Sequence, residues 1–177
     1  MKNRLYYISL AGIMLALLIV CSQLTIPLPV IPLTLQTFAV GLLASILPLR
    51  YSLQTILVYL LLGFIGLPIF ANFKGGLGVL FSNTGGYLLG FLVYVIIVGS
   101  LVIKKQTFGW LLVANSLGAL IQLLCGSLWL LVISDINLEN ALLLGVPFLL
   151  PGAVKVILVC ICAQIYYREF TKRSAKV

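Results

Sequence analysis

LLLGVPFLLPGAVKVILVCICAQIYY, residues 142–167, is the stretch whose reading decides the fold. It is apolar but for Lys155 and Gln164, and an apolar run of about 20 residues is long enough to cross a hydrocarbon core of roughly 30 Å as a helix. Pro147 and Pro151 interrupt its start, and Pro151 suits a first helical turn, where its missing N–H is not needed. Lys155 is the only charged residue deep in any apolar run of the chain. An ammonium at the bilayer centre costs at least about 2.5–3.5 kcal/mol on insertion scales, so such residues usually face a cavity or a pathway. Twelve residues, about 18 Å of helix, separate Lys155 from Tyr167, which puts the lysine in the membrane half away from Tyr167. The free amides of the turn after Pro151, with an ammonium one turn deeper, predict a trap for an anion or a carbonyl. The structural alternative is a lysine that snorkels or pairs with a backbone carbonyl.

The rest of the chain agrees with a membrane reading. Of 177 residues 63% are hydrophobic and 8% charged, against roughly 25% charged in a soluble domain, which excludes a water-soluble globule. Six spans are expected, at residues 5–23, 33–48, 52–69, 85–103, 108–133 and 142–167, in a single all-α membrane domain covering residues 1–177. With both termini cytoplasmic, the inner side collects Lys2, Arg4, Arg50, Lys104, Lys105, Arg168, Lys172, Arg173 and Lys176, leaving Lys74 outside and Lys155 within a span. The positive-inside rule selects that topology in a cell membrane, with Asp135 and Glu139 in the outer loop before the last helix. Residues 1–4 followed by an apolar run imitate a signal peptide, but the run to Leu24 is too long and lacks an Ala-x-Ala site, so it is expected to remain as the first helix. Cys21, Cys125, Cys160 and Cys162 lie in or beside the spans and read as small apolar packing residues.

Several functions are excluded by composition. The chain has no histidine and no Gly-x-x-x-x-Gly-Lys-Ser/Thr loop, so metal hydrolysis and an intrinsic ATPase are unsupported; no metal and no cofactor is expected. The net charge of +8 is spread between spans instead of forming a basic, aromatic-laced face, which argues against nucleic acid. An intramembrane enzyme would need a nucleophile or an acid–base pair that the spans do not supply.

Two outer segments stand out. Residues 26–33 (IPLPVIPL) cannot be regular helix yet are apolar, and read either as a lid over an outward-facing pocket or as a plain interfacial turn. Residues 71–87 (ANFKGGLGVLFSNTGGY) are glycine-dense, which permits sharp turns and close backbone approach to a ligand, or a flexible connector. In the fifth span Asn115, Gln122 and Trp129 recur every seven residues on one face, with Gly118 and Gly126 nearby; packing is the commoner role of such a stripe. Trp129, level with Lys155, is its best ligand contact. In the first span Ala11, Gly12 and Ala16 form a strip with little bulk, either a docking face for a partner or internal packing. The outer half thus suits a small amphiphile with an apolar body and a carboxylate or strongly polar head.

Pro32-Leu-Thr-Leu-Gln36-Thr-Phe38, Tyr59-Leu-Leu-Leu-Gly63-Phe-Ile-Gly66-Leu-Pro68-Ile-Phe70, Gly75-Gly76, Thr84-Gly-Gly-Tyr87 and Gly126-Ser-Leu-Trp129 follow in an order and spacing that resemble the BioY family, the biotin-specific S-components of energy-coupling-factor (ECF) vitamin transporters. The resemblance runs from the first helix to Lys155. It implies the six-helix S-component fold, capture of biotin on the outer face, and release inward when the subunit topples beside a transmembrane coupling protein and two cytoplasmic ABC-type ATPases. Carried over by position, it implies ligand-binding roles for Lys155, Gln36, Gly75, Gly76, Thr84, Gly85, Gly86 and Tyr87, and partner docking for the small-residue strip of the first helix. Two departures are plain. Gly152 stands where the family usually has Asp, three residues before the lysine, and Ser82-Asn83-Thr84 replaces the usual Gly-Pro-Thr. With that acid missing, Asn83 or Gln36 is left to meet the ureido N–H groups, or the specificity has drifted to a related vitamin or a precursor such as dethiobiotin. A purely structural membrane protein is the remaining rival, which Lys155 and the outer glycines oppose.

Overall fold

The computed structural model describes residues 2–134 and 136–174; Asp135 and Lys176, assigned above to the outer loop and the inner end, lie outside them. The elements in chain order are helix α1 (Lys2–Gln23), a two-stranded ribbon of β1 (Thr25–Ile26) and β2 (Leu33–Thr34), then α2 (Gln36–Ile46), α3 (Leu49–Ile65), α4 (Gly85–Val102), α5 (Phe108–Ile133), the short α6 (Leu138–Leu143) and α7 (Leu149–Ser174). The fold is all-helical apart from the ribbon, with six principal helices. Arg4–Gln23, Gly85–Val102, Phe108–Ile133 and Leu138–Glu169 are long and apolar enough to cross a membrane.

Three expected boundaries move, each for a local reason. The second span, expected over residues 33–48, contains a helix of only 11 residues, about 17 Å long, because Leu33 and Thr34 are spent in the ribbon and Leu47 is already extended before Pro48. The third begins at Leu49 and stops at Gly66, which adopts a left-handed conformation ahead of Pro68. The sixth does not start at Leu142. Residues 138–143 form α6, capped by the Asn137 side chain accepting from the Asn140 N–H at 3.0 Å, and a 3-10 turn at Val146–Phe148 carries Pro147 before α7 begins.

Helix α4 is central. In its apolar window 61% of residues are buried, against 17% for α1, which lies at the rim. Hydrocarbon gives no hydrophobic drive for helix to meet helix, so contact depends on small residues and shared hydrogen bonds. Gly86 is the clearest case: a Cβ there would fall 2.1 Å from the Trp129 Cβ, so α4 and α5 meet backbone to side chain only because no side chain intervenes. Asn115 supplies the polar contact. Its Nδ2 donates to Ser45 Oγ (3.0 Å) and the Leu111 carbonyl (2.9 Å), and Tyr94 donates to its Oδ1 at 3.1 Å, joining α2, α4 and α5. The Tyr167 hydroxyl extends this chain to α7 by donating to the Ser45 carbonyl.

Aromatic contacts align the helix ends. Tyr7 stacks on Tyr51 with centroids 5.4 Å apart, and the Tyr6 and Tyr166 hydroxyls lie 3.0 Å apart. The start of α1, the start of α3 and the end of α7 therefore share one end of the bundle, with exposed Arg4, Arg50 and Arg168. The opposite end carries the ribbon and residues 67–84. There the last turn of α1 acts as a strut. Ser22 donates to the Ile69 carbonyl (2.5 Å), Gln23 donates to the Phe70 carbonyl (3.1 Å), and Gln23 Oε1 accepts from the Phe73 N–H (2.9 Å).

Candidate ligand-binding site

A cavity of about 250 Å³ lies at the end of the bundle opposite the basic one. Its roof is the ribbon, through Ile31, Pro32, Leu33 and Thr34; its walls come from α2, α4, α5 and α7, and Asn72 and Lys74 line it from the α3–α4 loop. Ile31 is buried in a small cluster with Tyr87, Leu130 and Ala141, which ties the proline-rich segment down onto α4, α5 and α6. The apolar segment expected as lid or turn thus lies over a pocket, although Ile26, Leu28 and Val30 remain exposed.

Lys155 sits in this cavity, 9% exposed. It is placed by α7, whose first turn contains Pro151. Its Nζ donates to the Thr34 carbonyl at 2.6 Å and to Thr37 Oγ1 at 3.3 Å. The backbone-carbonyl pairing foreseen as the structural alternative is therefore present, and it coexists with a place in the cavity wall. An ammonium has three N–H donors, so two bonds leave one for a ligand. Among the described residues no acid lines the cavity, and both partners of the ammonium are neutral dipoles.

Gln36 lines the cavity beside it. Its Nε2 donates to the Tyr59 hydroxyl (2.7 Å), its Oε1 accepts from Thr34 Oγ1 (2.9 Å), and Tyr59 passes its own proton to the Ile69 carbonyl (3.2 Å). These bonds hold the amide in one orientation and leave one N–H and one lone pair unspent. Thr84 and Tyr87 also line the cavity, Tyr87 with its ring 6.5 Å from Phe148.

The other residues singled out in the sequence lie elsewhere. Asn83 accepts from the Ser134 hydroxyl at 3.2 Å and does not line the cavity. Trp129 donates to the Ser82 carbonyl at 3.2 Å and covers Gly86. Gly85 lies against the Leu80 carbonyl and Gly75 against that of Leu67, while Gly76 has a φ of +93° and donates to the Gly63 carbonyl at 2.7 Å. These glycines give the loop its tight path and stand behind the cavity wall. From the stripe on α5 it is Gln122 that lines the cavity, held by donating to the Tyr87 carbonyl at 3.2 Å. Thr34, Thr37 and Tyr94 escaped the sequence reading as site residues, although both threonines lie within or beside the Pro32–Phe38 motif; their roles depend on a backbone carbonyl, a hydroxyl and a floor position that no spacing reveals.

On α1, Gly12 and Ala16 are exposed and Ala11 is half-buried; nothing lies within 4 Å of a Cβ placed on Gly12. Gly12 and Ala16 thus face out of the described bundle, while Ala11 packs partly against its core.

This architecture has a solved counterpart. With a TM-score of 0.90 and coverage of 94% of this chain and 93% of the other, the structure matches the crystal structure of the S-component for biotin from an ECF-type ABC transporter, at 23% identity. The fold is therefore that of the S-components, the multi-pass membrane subunits of such transporters. Residues 1–172 match the BioY family, and the chain belongs to it. It is 42% identical to the biotin transporter BioY2 of Lactococcus lactis subsp. cremoris (strain MG1363), covering 90% of this chain and 89% of that protein. Against the biotin transporter BioY of Thermotoga maritima the identity is 39%, over 86% and 90% of the two chains. The probable biotin transporter BioY of Pyrococcus horikoshii is 34% identical over 89% and 93%.

Proposed function

We propose that this chain captures biotin from outside the cell and delivers it inward as the S-component of an ECF transporter. The observation that carries the reading is Lys155: an ammonium buried in the wall of an apolar cavity of about 250 Å³ and left with a spare N–H, in a family whose relatives above are biotin transporters. Biotin is a bicyclic, largely apolar body with a ureido group at one end and a carboxylate at the other. The ammonium and the first turn of α7 suit the carboxylate or the ureido carbonyl, and Gln36, Gln122 and Thr84 offer neutral polar contacts for the remainder. No covalent chemistry is involved. Energy is supplied by partners, a transmembrane coupling protein and two cytoplasmic ABC-type ATPases, for which the open strip at Ala11, Gly12 and Ala16 offers a close-contact face on α1.

One observation favours a second reading. Among the described residues no acid lines the cavity, and Gly152, which lines it, leaves open space where a side chain would project. A related precursor such as dethiobiotin, with the same ureido and carboxylate groups but no thioether ring, would be accommodated there. Calorimetric titration of the purified subunit with biotin, dethiobiotin and thiamine tests both. Biotin binding tightest supports the first reading, dethiobiotin tightest the second, and thiamine binding with no response to biotin refutes both.

A further inference from the structure

Part of the cavity wall is the seam between α5 and α7. Ser116, Ala119 and Leu120 of α5 and Leu149, Gly152 and Ala153 of α7 all line it, and four of these six are small. Leu120, Leu149 and Ala153 are exposed as well as lining it. Leu120 lies twelve residues, about 18 Å, from the start of α5, and Ala153 lies fourteen residues, about 21 Å, from Tyr167 at the basic end of α7. Both positions fall within the hydrocarbon depth of a bilayer, so what meets this seam is acyl chain, not water.

We propose that the cavity opens laterally between α5 and α7 and binds free alkyl carboxylates of the membrane, the carboxylate on Lys155 and the chain leaving through the seam. Charge complementarity selects this occupant. Lys155 is the cavity's buried cation, its two protein partners are neutral, and among the described residues no acid lines the wall to satisfy it. A carboxylate within reach of its remaining N–H gains a charge-assisted bond in a low-dielectric setting. An alkyl chain attached to it meets only small and apolar side chains on its way out. A neutral alcohol of equal length gains the second contact but not the first. The proposal rests on the reading of this cavity as the ligand site and deepens it: a vitamin with a carboxylate tail would compete there with fatty acids, which set a background that it must displace.

The test uses the full chain in zwitterionic nanodiscs and a photoactivatable fatty acid with a mid-chain diazirine, the labelled peptides being mapped by mass spectrometry. Label is expected on cavity-lining residues of 116–123 and 149–156, removed by excess decanoate but not by equal decanol, and at least tenfold reduced in Lys155→Met. Referred to their concentration in the bilayer, unlabelled acids from four to twelve carbons should bind with no break in affinity as the chain lengthens, because each added methylene only exchanges one hydrocarbon surrounding for another. A collapse of affinity beyond a short length would mean a closed wall and would overturn the portal. Label confined to outward positions, or removed equally by decanol, would overturn the site. Equal cavity labelling by a photoactivatable phosphatidylglycerol would overturn the assignment to a free carboxylate. A parallel biotin titration keeps the two readings apart. Biotin binding without fatty-acid labelling sinks this inference alone, whereas labelling without biotin binding sinks the transport reading and leaves this one standing. Where both bind, excess biotin must protect the label; failure to do so places the chain outside the cavity and refutes the proposal.

Discussion

Replacing Lys155 by Met keeps an unbranched side chain of similar length and removes one charge and three donors. In the ligand-free subunit it deletes the bonds to the Thr34 carbonyl at 2.6 Å and to Thr37 Oγ1 at 3.3 Å, and it also removes the need to keep an ammonium out of water. Those terms oppose each other, since a buried charge carries a desolvation cost that an apolar isostere does not. A net stability change within about 1 kcal/mol is expected, or roughly 2–4 °C in melting temperature for a chain of this size. Ligand binding has no such offset. Losing a charge-assisted hydrogen bond in a dry site costs about 1.5–3 kcal/mol, which at about 1.4 kcal/mol per decade weakens biotin roughly 10- to 150-fold. Lys155→Arg should fall between, because a planar guanidinium retains the charge but cannot place it on the same two oxygens. Calorimetry in detergent measures the affinity, and a thermal melt without ligand checks the fold. A folded Lys155→Met protein that binds biotin within threefold of the parent would refute the assignment of Lys155 to the ligand. A loss of the melting transition itself would make its bonds to Thr34 and Thr37 structural in purpose.

Gly86→Ala should be severe for so small a change, because its Cβ would lie 2.1 Å from that of Trp129 and 2.9 Å from the Cys125 carbonyl; overpacking of this kind costs about 1–3 kcal/mol, read as a lower melting temperature, and a wild-type melt would show that α4 and α5 have room to spare. Gly12→Leu and Ala16→Leu should leave the isolated subunit folded and its biotin affinity unchanged while copurification with the coupling protein and ATP-driven uptake fall; lost folding would show that the strip packs internally. A spin label at exposed Leu28, on the tip of the ribbon, should lose mobility when saturating biotin is added, and an unchanged spectrum would leave the ribbon a plain turn.

Much of this was legible in sequence because the membrane imposes a coarse demand on every residue in it. Apolar length and the distribution of Lys and Arg fix how many helices form and which ends lie together, and the Tyr7–Tyr51 and Tyr6–Tyr166 contacts join those ends as expected. A charge in an apolar run has few tolerable surroundings, so Lys155 was identifiable alone. Helix boundaries were less so. Whether Leu33 and Thr34 join α2 or pair as strand depends on Thr25 and Ile26, which no periodicity marks as their partners. The wall of the cavity was least legible of all. Glycine at 75, 76, 85 or 86 says that something approaches closely, but ligand, carbonyl and indole all need the same missing side chain, and only the tertiary structure puts the Leu67 carbonyl, the Leu80 carbonyl and Trp129 there. On α5 a heptad spacing places Asn115, Gln122 and Trp129 on one face without saying what each meets. The twist of α5 past α4 and α7 decides it, giving Asn115 to the core, Gln122 to the cavity and Trp129 to Gly86. Sequence determined the helices and their charge; which atoms face the ligand is a property of how helices cross, and crossing is set by contacts between residues far apart in the chain.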